Sequence, residues 1–356
     1  MVVYRLFMLL RKLFILFLVP LLYSCVDENN NLLDHFNYTE DLNVTDSILL
    51  ENYGILNPHY IYKKDSFLIF NSIQGKREIQ LLSLKDYRTY TYCVIGQGKN
   101  EMNNYFTVLD QASDCYRFAD NSKGKIYGID LNELEENKET EYKLMNTLSI
   151  NNGTHFIRFM DTGKYLLGSG IIKNGRFGIY DKSEYSYTEQ AGYPYNDEIN
   201  KIDNIYKGAL FSRTIMTPHP QGKRFVAACF GLLDFYAISD EGDIQLIKSK
   251  HYHYPKFKAN TSVGSAITFD IEDMVGITGL ISDDKYVYVL YSDKTFKHDK
   301  EAAYNASHLL VYDWEGNPIK HYHLNKDLYA ISKSGDVLYG LSRVNNPIVY
   351  CCKLNL

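Results

Sequence analysis

The stretch "LYAISKSGDVLYGLSRVNNPIVYCCKL", Leu328–Leu354, contains three short runs of alternating apolar and polar residues, separated by "GD" and "NNP". Each run has strand length, is rich in β-branched and aromatic types, and ends at turn-forming residues. Three strands joined by tight turns make most of a four-stranded antiparallel sheet. The fourth is expected from the other end of the chain, where "TDSILLEN", Thr45–Asn52, has strand character. Pairing the two ends in one sheet closes a ring and hides an edge that would otherwise invite aggregation.

Working outward, the same strand type recurs: apolar residues ending in an apolar–polar step, then a turn and a returning strand. The steps fall at Leu82-Ser83, Ile129-Asp130, Tyr180-Asp181, Ile238-Ser239, Tyr312-Asp313 and Cys352-Lys353, at intervals of 47, 51, 58, 74 and 40 residues. That spacing is close to a propeller blade of ~40–50 residues, with insertions in the longer intervals. The expectation is an all-β chain, a six-bladed β-propeller of four-stranded antiparallel blades over residues 45–356, its last blade closed by an N-terminal strand. A pair of β-sandwiches fits the composition but not the sixfold recurrence.

The composition agrees. The 356 residues include 32 Tyr, 18 Phe and one Trp, a 14% aromatic content that suits pleated, half-buried surfaces and also glycan or peptide recognition. The formal charge is −5, and basic and acidic residues are interleaved. Nucleic acid is therefore not an expected partner, since phosphate binding needs a basic stripe.

Upstream of the repeats, "LLRKLFILFLVPLLYSCVDENNN", Leu9–Asn31, places Arg11 and Lys12 before a ten-residue apolar run, Leu13–Leu22. A spanning helix needs ~20 residues, so the run fits a signal-peptide core. Met8 is an alternative start. "LLYSC", with Leu22 three residues before Cys25 and small Ser24 just before it, resembles the lipobox of bacterial lipoproteins, although Tyr23 is an unusual middle residue. That resemblance implies cleavage before Cys25 and lipidation of its sulfur, with several acyl chains giving a firm anchor. Residues 1–24 are read as signal peptide and 25–44 as an acidic, Asn-rich tether. Loss of Arg5, Arg11 and Lys12 leaves 35 basic residues against 43 acidic, a charge of −8.

"NPHYIYKKDSFLIF", "VIGQGKNE" and the closing segment from Leu309 resemble the TolB-like six-bladed propeller lipoproteins of gut Bacteroidota. Gly96, Gly98 and Glu101 match that family's Gly-rich segment after blade 1, while Lys99 and Asn100 replace its Pro-Gly. The resemblance implies a fold and an address, the outer membrane of the cell envelope, facing either the periplasm or the exterior. It implies no reaction.

Signatures of catalysis are missing: no G-x-S-x-G, no H-E-x-x-H, no Walker loop and no dinucleotide Gly pattern opening a helix. Cys351 and Cys352 are adjacent in a strand and point to opposite faces, which does not suit one closed metal site. His251/His253 and His321/His323 could each offer two imidazoles to a metal, but as outer-strand residues they are expected to meet solvent. The acidic "DLNELEENKETE", Asp130–Glu141, reads as a solvated loop. The inner strands expected to surround the axis are "HYIYKKD", "CYRFADN", "HFIRFMDTG", "RTIMTPHP" and "VGITGLISDD". Their central residues are Arg, His, Thr and Tyr more than carboxylates. That composition favours a polar or anionic ligand over an axial cation, with Arg117, Arg158 and Arg213 as candidate ligand-binding residues.

The leading functional expectation is a non-enzymatic binding module without metal or cofactor, taking a peptide, glycan or protein partner in the envelope. A metal-dependent hydrolase or lactonase and a scaffold subunit of an envelope complex are the alternatives. The insertion between blades 4 and 5 and "DKTFKHDKEAAYN", Asp293–Asn305, are the loops expected to carry function.

Overall fold

The computed structural model describes residues 32–72, 78–92, 102, 105–109, 114–120, 123–136, 141–148, 154–260 and 266–356. Cys25 with the leader, and the Gly96–Glu101 segment, lie outside the described residues.

Two strands, β1 (Thr39–Leu42) and β2 (Val44–Leu49), precede the blades. Blade 1 contains β3 (Pro58–Lys64), β4 (Phe67–Ser72), β5 (Ile79–Ser83) and β6 (Thr89–Tyr92). Blade 2 contains β7 (Phe106–Leu109), β8 (Cys115–Asp120), β9 (Lys125–Asp130) and β10 (Lys143–Thr147). Blade 3 contains β11 (His155–Asp161), β12 (Tyr165–Ile171), β13 (Phe177–Asp181) and β14 (Ser186–Gln190). Blade 4 contains β15 (Ile215–Pro218), β16 (Arg224–Cys229), β17 (Gly231–Ile238) and β18 (Ile244–His253). A hairpin, β19 (Phe257–Asn260) and β20 (Ala266–Phe269), leads to blade 5, formed by β21 (Met274–Ser282), β22 (Tyr286–Thr295), β23 (Ala306–Asp313) and β24 (Pro318–Leu328). Blade 6 is β25 (Ala330–Ser334), β26 (Val337–Ser342) and β27 (Ile348–Lys353), with β2 antiparallel to β27 as its fourth strand.

All six apolar–polar steps fall at the end of a third strand, and the reason is local. Five precede a turn into the fourth strand, and in each the polar side chain accepts turn N–H groups. Ser83 accepts from Lys85, Asp130 from Asn132 and Glu133, Asp181 from Ser183 and Glu184, Ser239 from Glu241 and Asp243, and Asp313 from Glu315 and Asn317. Such side chains stand in for a backbone acceptor and set the turn. Lys353 has no such turn to close, because the fourth strand of its blade is β2. At Asp130 the turn opens into a short helix, α1 (Leu131–Glu135), where a simple loop was expected.

Side chains alternate along each strand, so each blade faces both neighbours. On β22, Val287, Val289 and Tyr291 join the core shared with blade 4, while Tyr288 and Leu290 join the core shared with blade 6. Six apolar cores of this kind, one per junction, are present among the described residues. Inner strands β7 and β11 also pair in parallel, linking blades 2 and 3.

From Leu32 onward, the stretch expected as tether packs on blade 5. Strand β1 pairs in parallel with β24, and Leu32 and Leu42, at 1% and 3% exposure, enter cores of blade 5. These leucines are scattered among acidic and Asn residues, which obscured their apolar role. His321 is buried beneath β1, 3.0 Å from Thr39 Oγ1 and 3.0 Å from His308 Nδ1, rather than meeting solvent. His251 is likewise occupied, its ring nitrogens lying 2.7 Å from Asp234 and 2.7 Å from Tyr254.

Because strands alternate direction, first-strand starts and second-to-third connections share one face of the ring. That face, here called upper, receives three insertions. Between blades 3 and 4 come α2 (Asp197–Asn200) and α3 (Asn204–Leu210); between blades 4 and 5 comes the β19–β20 hairpin; within blade 5 comes α4 (Phe296–Asp299). The first two insertions pack together through Ile199, Leu210 and Phe211 with Phe257, Ile267 and Phe269. The opposite face carries mainly tight turns.

Candidate functional site

The six inner strands, β3, β7, β11, β15, β21 and β25, surround the axis. Among their described residues there is one carboxylate, Asp161, against Lys63, Lys64, Arg158 and Lys333. Asp161 is already paired with Arg117 at 2.6 Å and Lys182 at 2.9 Å. Lys333 pairs with Asp283 at 2.6 Å, and Lys63 Nζ donates to the Asp65 carbonyl.

Arg158 is different. Among the described residues it has no hydrogen bond or ion pair, although burial depresses its pKa. The groups that oppose that depression are the phenols of Tyr60 and Tyr329. Tyr60 belongs to blade 1 and Tyr329 leads into blade 6, which stands opposite blade 3 in a six-membered ring. The guanidinium is thus half-buried in the channel and faced by neutral hydroxyls, with no counter-charge among the described residues. A half-buried guanidinium without an ion pair can still form strong charge-assisted hydrogen bonds with an anion.

A second group lies at the upper end of the same channel. Arg343, at the end of β26, donates from Nη1 to His59 Nδ1 at 3.0 Å, and its guanidinium lies 4.6 Å from the centre of the Tyr329 ring. Burial, then the charge of Arg343, lowers the His59 pKa to about 4, so the imidazole stays neutral and acts as an acceptor. Burial raises the Tyr60 pKa despite Arg158, keeping that phenol a donor. The array can offer N–H and O–H donors and positive charge to an anion, and holds no nucleophile–base pair.

Of the three arginines named from the sequence, Arg158 alone lines the channel. Arg117 lies on β8, a second strand, because the inner strand of blade 2 is the short "FTVL" at Phe106 and not "CYRFADN"; it is consumed by the bridge to Asp161. Arg213 precedes β15 on the upper face, exposed, 5.7 Å from the Phe269 ring centre. Sequence reading missed Tyr60, Tyr329, His59 and Arg343 as a group, since only ring closure between blades 6 and 1 brings them together. Among the described residues no three His, Cys, Asp or Glu side chains are placed to hold a metal ion.

A family model agrees with this architecture: described as "TolB-like 6-blade propeller-like", it matches residues 36–336. No curated protein shows significant sequence similarity. Among solved structures, the chain is similar to the β-propeller domain of Cps50 (Swd1) from Myceliophteria thermophila, with 11% identity, TM-score 0.43, and 88% of this chain and 100% of that chain covered. It is also similar to a functionally unknown protein from Desulfotomaculum acetoxidans, with 10% identity, TM-score 0.41, and 74% and 71% of the two chains covered.

Proposed function

The chain belongs to the TolB-like 6-blade propeller family, and from that premise we propose that it is a non-enzymatic binding module, lipid-anchored in the bacterial envelope, whose axial channel takes a carboxylate-bearing ligand. The observation that carries the proposal is the position of Arg158, half-buried on inner strand β11 beside the phenols of Tyr60 and Tyr329, with no ion pair among the described residues. The channel's donor set supports the same reading: among the described residues of the inner strands cations outnumber carboxylates, and the single carboxylate, Asp161, is engaged. A Ca²⁺ site of the hydrolase type requires six to eight oxygen ligands, and these residues do not fit one. Anchoring is supported by the "LLYSC" sequence ending at Cys25.

Calorimetric titration with succinate and acetate, against chloride as control, tests the ligand class. Saturable binding lost in Arg158→Met is expected. Binding unaffected by that change, no binding at all, or a stoichiometric metal in elemental analysis whose chelation lowers the Tm, would each overturn the channel assignment. Anchoring is tested separately: Cys25→Ala should abolish lipid labelling and shift the protein out of the membrane fraction.

A further inference from the structure

We propose that the upper face carries a second binding site, independent of the axial channel, for a sugar residue of a glycan, with a preference for a uronic acid. A cavity of about 250 Å³ lies between the second-to-third connection of blade 3 and the insertion bearing α2 and α3. Its lining residues include Asn174, Asn200, Asn204 and Lys207, together with Tyr193 and Tyr195. None of the three amides, nor the Lys207 ammonium, has a side-chain partner among the described residues. Tyr195 is 71% exposed, the most exposed large hydrophobic side chain described.

That combination matches the chemistry of a sugar. A pyranose has a C–H face that packs on an aromatic ring and an edge of neighbouring hydroxyls. Each primary amide offers an acceptor and two donors side by side, the complement of a vicinal diol. Lys207 adds one positive charge, which favours a carboxylate on the ring. The volume is below that of sites for drug-sized ligands, as fits one terminal residue rather than an extended peptide, and the lining residues include no Leu, Ile, Val, Met or Phe to anchor a peptide side chain.

The walls are fixed before any ligand arrives. Tyr193 donates to the Ile172 carbonyl at 2.6 Å and stacks on Phe211, with ring centres 5.7 Å apart. Asn196 caps α2 by accepting from the Ile199 N–H at 2.9 Å. Gly208 lets α3 lie against blade 3, since a Cβ there would meet the Ile172 carbonyl oxygen at 2.8 Å. A site that needs little ordering keeps more of its contact energy as affinity.

The test is saturation-transfer NMR and calorimetry on the full chain with methyl β-D-glucuronide, methyl β-D-glucoside and propionate. Expected are transfer from one ring face of both glycosides, tighter binding of the glucuronide, and weaker or no binding of propionate. Tyr195→Ala should weaken both glycosides by about tenfold or more, and its exposure leaves the fold undisturbed, as unfolding curves would verify. Lys207→Met should remove the preference for the glucuronide while the glucoside still binds. Arg158→Met should change none of this, which separates the site from the channel. Absence of transfer from either glycoside, binding that survives Tyr195→Ala, or propionate equalling the glucuronide would overturn the assignment.

Discussion

Arg176 and Asp234 form an ion pair sealed between blades 3 and 4, with 1% and 2% of their side chains exposed. Tyr236 accepts from the same guanidinium nitrogen at 2.8 Å, and His251 lies on the other carboxylate oxygen at 2.7 Å. Burial opposes ionisation of Asp234, but Arg176 and His251 outweigh it and hold the carboxyl at about 2. Breaking one half of such a pair leaves a buried charge uncompensated. Asp234→Ala is expected to cost about 3–5 kcal/mol, read from urea unfolding. Arg176→Met with Asp234→Leu should recover much of that loss; a double variant as unstable as the single one would refute this account.

His59 and His321 set the response to mild acid. Burial, reinforced by Arg343 in one case and by His308 and His323 in the other, lowers both from 6.5 to about 4. Below about pH 6.5 the unfolded chain takes up protons at these rings that the folded chain refuses until about pH 4. Their contribution to stability is complete above 6.5 and is lost as pH falls towards 4. The Tm should fall by several degrees between pH 6.5 and 4.5, and the double variant His59→Gln/His321→Gln should flatten that part of the profile.

Arg158 should behave as a site residue rather than a structural one. Its half-buried charge has no ion-pair partner among the described residues to lose, so Arg158→Met is expected to leave stability unchanged or raise it by about 0.5–2 kcal/mol while abolishing anion binding. A marked fall in Tm would instead make the arginine part of the scaffold.

The turn acceptors make a finer prediction. Asp313→Ala removes the acceptor for two N–H groups, Glu315 and Asn317, and should cost about 1 kcal/mol. Lys353→Ala, at the matching step of blade 6, should cost less, because no turn follows it. Equal losses in thermal unfolding would separate the repeat from the turns that explain it.

Those turns also account for what was legible in the sequence. A local side-chain-to-backbone contact leaves a local mark, so Ser83, Asp130, Asp181, Ser239 and Asp313 revealed blade number and the third strands. The place of Arg158 on an inner strand was legible because β11 reads clearly as a strand. Arg117 was misplaced because β7 is only four residues long and the arginine's partner, Asp161, lies on the next blade. Tyr329 and Arg343 read as ordinary strand-end residues, for nothing near them signals that His59 closes on them. The helices α2 and α3, four and seven residues long, are too short to show a period.

The pairing of β2 with β27 has a consequence for biosynthesis. About 300 residues separate the two strands, and at the ~5–20 residues per second of translation the first waits roughly 15–60 s for its partner to be made. Through that interval β2 must stay soluble and unclaimed. Asp46, together with Thr45 and Ser47, keeps its early half polar, which is how such a strand avoids the wrong neighbour before the right one exists.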